Sequence, residues 1–251
     1  MIRFLKDTIL RLLARHGYKI IKTDYFPDFA KDDLDIIQLV KPFTLTPPER
    51  IHALIQSVKY VVEHEIPGDI VECGVWRGGS MMTVAKVLAN LQCDDRHLYL
   101  YDTFEGMVAP EEVDVMYSGD KAADLLEKAD INDGSSIWCR VSLDEVKKNV
   151  YSIGYNQENI HFIKGRVEDT IPQMAPEVIS ILRLDTDWYR STLHELTHLF
   201  PRLSRGGVIL IDDYGCWQGA RLAADEYFSK NQTAMLLNRI DYTARVGVKI
   251  S

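Results

Sequence analysis

Carboxylates carry most of the chemistry this sequence offers. Asp102, Asp185 with Asp187 two positions on, and the pair Asp212-Asp213 each end a short apolar run: His97-Leu-Tyr-Leu-Tyr, Val178-Ile-Ser-Ile-Leu-Arg-Leu and Gly207-Val-Ile-Leu-Ile. Another run ends in Glu72-Cys73-Gly74 and leads into Gly78-Gly79-Ser80. Such runs read as buried strands, and in open α/β sheets ligands bind beyond the carboxyl ends of the strands. Asp185, Asp212 and Asp213 would then meet in one cleft. Three carboxylates in one place repel unless protonated or neutralised by a cation. All-oxygen ligation suits Mg²⁺, Mn²⁺ or Ca²⁺ rather than a soft metal. Such an ion can hold a substrate hydroxyl and lower its pKa while a nearby base takes the proton.

The glycine turn after Glu72 permits a tight bend and a close approach of backbone to a ligand. Asp102, about 30 positions further on, suits hydrogen bonds from both hydroxyls of a ribose. The spacing E-x-G-x-x-x-G-x-S is not the dinucleotide fingerprint GxGxxG, and no GxxxxGK[ST] is present. Both departures favour S-adenosylmethionine, which has no pyrophosphate to cradle, over NAD or a nucleoside triphosphate. A competing motif is His194-Glu195-Leu-Thr-His198, which matches the zinc-peptidase pattern HExxH. Leu193, Leu196, Leu199, Phe200 and Leu203 form the apolar stripe of that helix, and the histidines flank it, away from the strand ends. No third ligand accompanies them, so a zinc hydrolase is the disfavoured reading.

Strands are expected at 69–74, 97–102, 159–164, 178–185 and 207–212, with helices at 80–91, 141–151, 190–203 and 218–230. That alternation argues for a mainly parallel sheet covered on both faces. Two closing strands, at 233–240 and 245–250, suit an antiparallel hairpin at one end. Thr46-Pro47-Pro48-Glu49 predicts a helix start, with Thr46 as the cap and Pro47 in the first turn, running to Glu65. Residues 103–140 form an insertion of the length expected for a lid or binding element. Residues 1–45 read as an N-terminal extension: one basic amphipathic helix, then an irregular polar stretch from Tyr25 to Lys41. The helix stripe, Phe4, Ile9, Leu12 and Leu13, suits packing on protein or on a second subunit better than lying on a membrane.

Composition narrows the field further. The 251 residues include 29 Lys and Arg against 37 Asp and Glu, a formal net charge of −8. That argues against a nucleic-acid binder, which needs a basic face. No apolar run is long enough to span a bilayer. Cys73, Cys93, Cys139 and Cys216 show no CxxC spacing, which fits a reducing cytoplasm without disulfides.

Four segments together are similar to the macrocin O-methyltransferase (TylF/MycF-like) family: Val71–Ser80, Tyr101–Gly106, Leu182–Thr192 and Gly206–Tyr214. The resemblance covers roughly residues 40–251. It implies a class I S-adenosylmethionine methyltransferase fold, α/β and Rossmann-like, with a seven-stranded sheet whose last strand is antiparallel. The N-terminal helical extension (1–45) would precede a methyltransferase domain (46–251). The family methylates sugar hydroxyls with Mg²⁺ or a similar ion. The resemblance places the cofactor over Glu72 and Gly74, with Ser80 near the methionine carboxylate, Asp102 on the ribose and Glu168, in Gly165–Asp169, on the adenine side. Trp76, Thr103 and Asp185 join the expected cofactor contacts. Metal ligands map onto Asp185, Asp212 and Asp213, and Asp187 falls at the general base, with Arg183 or Arg190 as its other conceivable partner. Trp76, Phe104 and Tyr214 are candidates to line the site. The acceptor is then a small molecule or saccharide, and a homodimer or larger homo-oligomer is expected. A phenol or catechol acceptor, and a non-catalytic cofactor binder, are the alternatives.

Overall fold

From residue 48 onward, short apolar runs alternate with amphipathic helices, and the computed structural model turns that alternation into three layers. It describes residues 9, 11–16, 26–134 and 136–250. The chain falls into two units, 1–31 and 32–251. In the first, residues 11–15 are helical with Leu12 exposed and Leu13 half-buried. Residues 1–8 and 10 of the expected N-terminal helix lie outside the described residues.

The second unit begins with helices α1 (Lys31–Val40) and α2 (Pro48–Glu63), then β1 (Asp69–Cys73), α3 (Gly79–Asn90) and β2 (Leu98–Asp102). The insertion follows with α4 (Ala122–Lys128), then α5 (Leu143–Tyr151), β3 (Ile160–Lys164) and a short α6 (Val167–Thr170). The chain closes with β4 (Ile179–Leu184), α7 (Tyr189–Leu199), β5 (Leu203–Ile211), α8 (Gln218–Lys230), β6 (Asn238–Arg239) and β7 (Arg245–Val248). The seven strands lie in the order β3-β2-β1-β4-β5-β7-β6. The first five are parallel, and β7 runs antiparallel to both β5 and β6.

Side chains alternate across the strands, so each face has its own core. Ile70, Leu98, Leu100, Ile181, Val208 and Leu210 pack under α2, α3 and α5, against Leu54, Val58, Met81, Leu88 and Val146. Val71, Tyr101, Leu182, Leu184, Ile209 and Ile211 pack under α7 and α8, against Leu196, Leu199, Tyr227 and Phe228. Register then fixes the site. Cys73 pairs with Tyr101 and Leu184, and Leu184 pairs with Ile211. The next residue on each strand therefore lies in one row across the sheet: Gly74, Asp102, Asp185 and Asp212. Backbone bonds extend the ladder to that row, with Gly74 N donating to Tyr101 O, Asp185 N to Cys73 O and Asp212 N to Leu184 O, each at 2.9 Å.

Several elements differ from expectation. Residues 31–40 are helix α1 rather than irregular, because Ile36 and Val40 share a face that buries into the core. Asp33 on the same helix is buried and paired with Lys59 Nζ at 2.6 Å. Thr46 does not cap α2. Pro47 takes the cap position, Pro48 opens the helix, and the Thr46 hydroxyl accepts from Arg183 instead. The first of the two closing strands shrinks to residues 238–239, since only β7 borders it and Leu236 projects into solvent. α7 ends at Leu199, and β5 starts at Leu203, four residues early. The insertion has its own small core, in which Ala122 and Leu126 of α4 meet Trp188 and Trp217.

Candidate active site

The row of strand ends forms the floor of a cleft of about 250 Å³. Gly74, Trp76, Ser80, Asp102, Thr103, Glu168, Asp185, Asp187, Asp212 and Asp213 all line it. Of the sequence-predicted site residues, Glu72, Phe104 and Tyr214 do not. Glu72 is buried behind the wall, and its Oε1 accepts from Arg183 at 2.8 Å.

Gly74 has φ +84, and a Cβ there would lie 1.9 Å from the Asp185 carbonyl oxygen. The close approach that demands this glycine is therefore to the backbone after β4 rather than to a ligand. Asp102 braces the same turn. Its Oδ2 accepts from the N–H of Val75 (2.8 Å) and Trp76 (3.1 Å), and its Oδ1 from Phe104 N–H (2.7 Å). Burial raises the Asp102 pKa, and those backbone donors oppose the rise. Oδ2 has both lone pairs engaged, so Oδ1, whose second contact is the Thr103 hydroxyl at 3.4 Å, is the oxygen that could accept from a ligand hydroxyl. Trp76 (φ 47), Phe104 (φ 52), Cys139 (φ 47) and Asp187 (φ 65) are non-glycine residues in left-handed backbone around this cleft. Strain of this kind, on the order of 1–3 kcal/mol per residue, persists where surrounding structure over-determines it.

Asp185, Asp212 and Asp213 offer carboxylate oxygens within 4.8 Å of one another, the metal-competent cluster among the described residues. Arginines already engage two of them. Arg183, buried on β4, donates from Nη1 to Glu72 (2.8 Å) and Asp185 (2.6 Å), and from Nη2 to Asp212 (2.6 Å). Arg50 on α2 bridges Asp212 and Asp241, reaching the latter at 2.7 Å. Arg183 therefore does not partner Asp187, and Arg190 approaches Glu168 at 4.0 Å instead. Asp187 sits over the cluster with its N–H 3.2 Å from Asp213 Oδ2. Burial pushes Asp187 up to about 6 and raises Asp185 and Asp213 well above the usual carboxylate range, with neighbouring acids adding to the rise. Burial pushes Glu72 up to about 7, opposed by Arg183. Acids driven toward neutrality by mutual repulsion and burial fit a divalent cation, whose charge reverses that pressure. A methyl donor fits too: Trp76 lines the cleft, and its Nε1 is buried with no hydrogen-bond partner among the described residues.

Sequence reasoning missed Phe43, Thr44, Leu45, Thr46 and Arg50, which form one wall, and Met107, Val108 and Cys139 from the insertion. Arg50 had the only visible signal, a cation opening a helix whose other end carries none. Phe104 is buried in the core. Tyr214 does not line the cleft. Its hydroxyl donates to Asp225 and its ring lies under Arg245. In the HExxH segment, His194 Nε2 lies 3.0 Å from Ile171 O, and the two imidazoles pack at 4.4 Å, half-buried and away from the cleft. Glu195 points inward and is fully buried.

The strand order, with β7 antiparallel beside β5, is that of class I S-adenosylmethionine-dependent methyltransferases, and the chain is an enzyme of that class. The model of the macrocin O-methyltransferase (TylF) family matches residues 2–247, and the chain belongs to that family. It is 33% identical over 193 residues to demethyldecarbamoylnovobiocin O-methyltransferase of Streptomyces niveus, covering 77% of this chain and 70% of the relative. It is 31% identical over 240 residues to mycinamicin III 3''-O-methyltransferase of Micromonospora griseorubida, covering 94% and 91%. The solved structure of the O-methyltransferase NovP superposes with a TM-score of 0.71 at 31% identity, over 83% of each chain.

Proposed function

We propose that this enzyme transfers the methyl group of S-adenosylmethionine to a hydroxyl of a sugar or a glycosylated small molecule, with Mg²⁺ or a similar divalent cation held by Asp185, Asp212 and Asp213. The observation that carries the reading is the convergence of those three carboxylates in the cleft that also contains the Gly74 turn and Asp102. The relatives named above, one acting on demethyldecarbamoylnovobiocin and one on mycinamicin III, support a sugar-type acceptor.

A bound divalent cation supplies positive charge that lowers the pKa of an acceptor hydroxyl. The chain's own residues do the rest. Asp102 takes the ribose hydroxyls, Ser80 and Thr103 border the donor, and Glu168 lies on the adenine side with Trp76 along the wall. Glu72 acts from behind, through Arg183. Asp187, carried over the cluster by its left-handed backbone, accepts the hydroxyl proton as oxygen attacks the methyl group in line with sulfur. Holding the two reactants together in a cleft with an apolar wall of Phe43, Leu45, Met107 and Val108 supplies much of the rate enhancement. We place the enzyme in the cytoplasm as a homo-oligomer. The exposed apolar Ile9 and Leu12 support the second point, and light scattering with and without residues 1–31 checks it.

The test is methyl transfer from radiolabelled S-adenosylmethionine to a panel of rhamnosides and other glycosides, with catechol as the contrasting acceptor. Transfer to a glycoside that stops on chelation and returns with Mg²⁺ is expected. Undiminished transfer in chelator overturns the metal assignment, and transfer to catechol alone overturns the acceptor class.

A further inference from the structure

We infer that Glu195, the acid of the HExxH segment, is a positioning residue that fixes the Asp185–Asp187 corner from beneath and so sets the geometry of the metal-binding carboxylates. The inference rests on the metal reading above. Glu195 lies on α7 with 0% exposure, whereas its neighbours His194 and His198 are half-buried. Its Oε1 accepts from the Thr186 hydroxyl at 2.9 Å. Its Oε2 meets no N–H or hydroxyl donor among the described residues, and the buried Cys73 thiol of β1 lies against the carboxyl. An apolar side chain in that place would avoid the cost of burying a carboxyl. What the carboxyl contributes instead is a fixed acceptor at one point beneath the cleft.

Thr186 is the link between the two acids that matter. It separates Asp185 from Asp187, and its carbonyl is held as well as its hydroxyl. Its carbonyl accepts from Trp188 N–H at 2.7 Å and from the Ser191 hydroxyl at 3.4 Å. On either side, Asp185 N–H is tied to the Cys73 carbonyl, and Asp187 N–H to Asp213. The corner thus stands on three supports: the end of β1, the carboxylate after β5, and Glu195 below. Only the last acts on the side chain of the residue at the apex. Because Asp187 sits in left-handed backbone at φ 65, the corner would relax without such support. Partners one step behind a metal's ligands typically change metal affinity or activity by about 10–100-fold when removed.

The experiment compares Mn²⁺ binding, by electron paramagnetic resonance or calorimetry with S-adenosylhomocysteine present, in the wild type, Glu195→Gln, Glu195→Met, Thr186→Val and the Glu195→Met/Thr186→Val double variant. Glu195→Gln keeps an oxygen for the Thr186 hydroxyl and should bind Mn²⁺ within about threefold of wild type. Glu195→Met and Thr186→Val should each weaken Mn²⁺ by about 10-fold or more. The double variant should be no weaker than the worse single one, since both remove the same contact. Affinity for S-adenosylhomocysteine should not change. A lowered melting temperature with Mn²⁺ affinity intact would show a structural role only and overturn the inference. So would losses that multiply in the double variant. Thr186→Val carries the test if Glu195→Met fails to fold. A wild type that binds no Mn²⁺ overturns the metal reading itself, and this inference with it.

Discussion

Replacing Arg183 with methionine removes the cation on which the floor of the cleft is built. Its guanidinium makes three charge-assisted contacts at 2.6–2.8 Å, to Glu72, Asp185 and Asp212, all from a position 2% exposed. Each such bond is worth about 1.5–3 kcal/mol. The sum overstates the loss, because Glu72, already pushed up to about 7, takes a proton when its partner disappears. Removing one member of a buried ion pair costs about 3–5 kcal/mol, and that is the expected destabilisation of Arg183→Met. For a domain of this size it corresponds to a melting temperature lower by roughly 6–20 °C. Sign and pH dependence follow from linkage. In the variant the folded state holds carboxyl protons that the unfolded chain has lost, so the deficit should narrow as pH falls from about 8 to about 6. Thermal denaturation followed by circular dichroism at both pH values measures this. A shift under 2 °C, or a deficit that widens toward acid, would refute the reasoning.

Gly74→Ala forces a Cβ against the Asp185 carbonyl. It should lower stability by about 2 kcal/mol or more, since it combines a backbone strain with overpacking, and should displace Asp185 enough to weaken Mn²⁺ binding in the same calorimetric assay. Asp102→Ala leaves the Val75, Trp76 and Phe104 N–H groups without their acceptor and removes the partner proposed for the ribose. S-adenosylhomocysteine affinity should fall by about 1.5–3 kcal/mol per lost charge-assisted bond, with acceptor KM little changed at saturating methyl donor.

Much of this was legible in the sequence for a specific reason. An apolar run that stops abruptly at a carboxylate marks the end of a buried strand, because the acid cannot continue into the core. Asp102, Asp185 and Asp212 were therefore readable, and the parallel register that lines them up follows from the strand–helix alternation. The same apolar stripe set the HExxH histidines at its flank, away from the strand ends, and in the structure neither lines the cleft. What the sequence hid were contacts made across long chain separations. Arg183 interrupts β4 as a charge inside an apolar run, but nothing local shows that Glu72 and Asp212 flank it. Thr46 has the composition of a helix cap, and tertiary demand from Arg183 claims its hydroxyl. The wall formed by 43–46 has no periodicity to announce it. Helix α1 was obscured by its acids, Asp32, Asp33 and Asp35, though Ile36 and Val40 lie one turn apart as a buried stripe requires.

The central claim is that the cleft binds a divalent cation through Asp185, Asp212 and Asp213 beside the methyl donor. Anomalous diffraction from a crystal grown with Mn²⁺ and S-adenosylhomocysteine tests it most directly. The account predicts an anomalous peak among those three carboxylates, with the nucleoside along Asp102 and Glu168. A peak at His194 and His198 instead, or none in the cleft with the nucleoside bound, would contradict it.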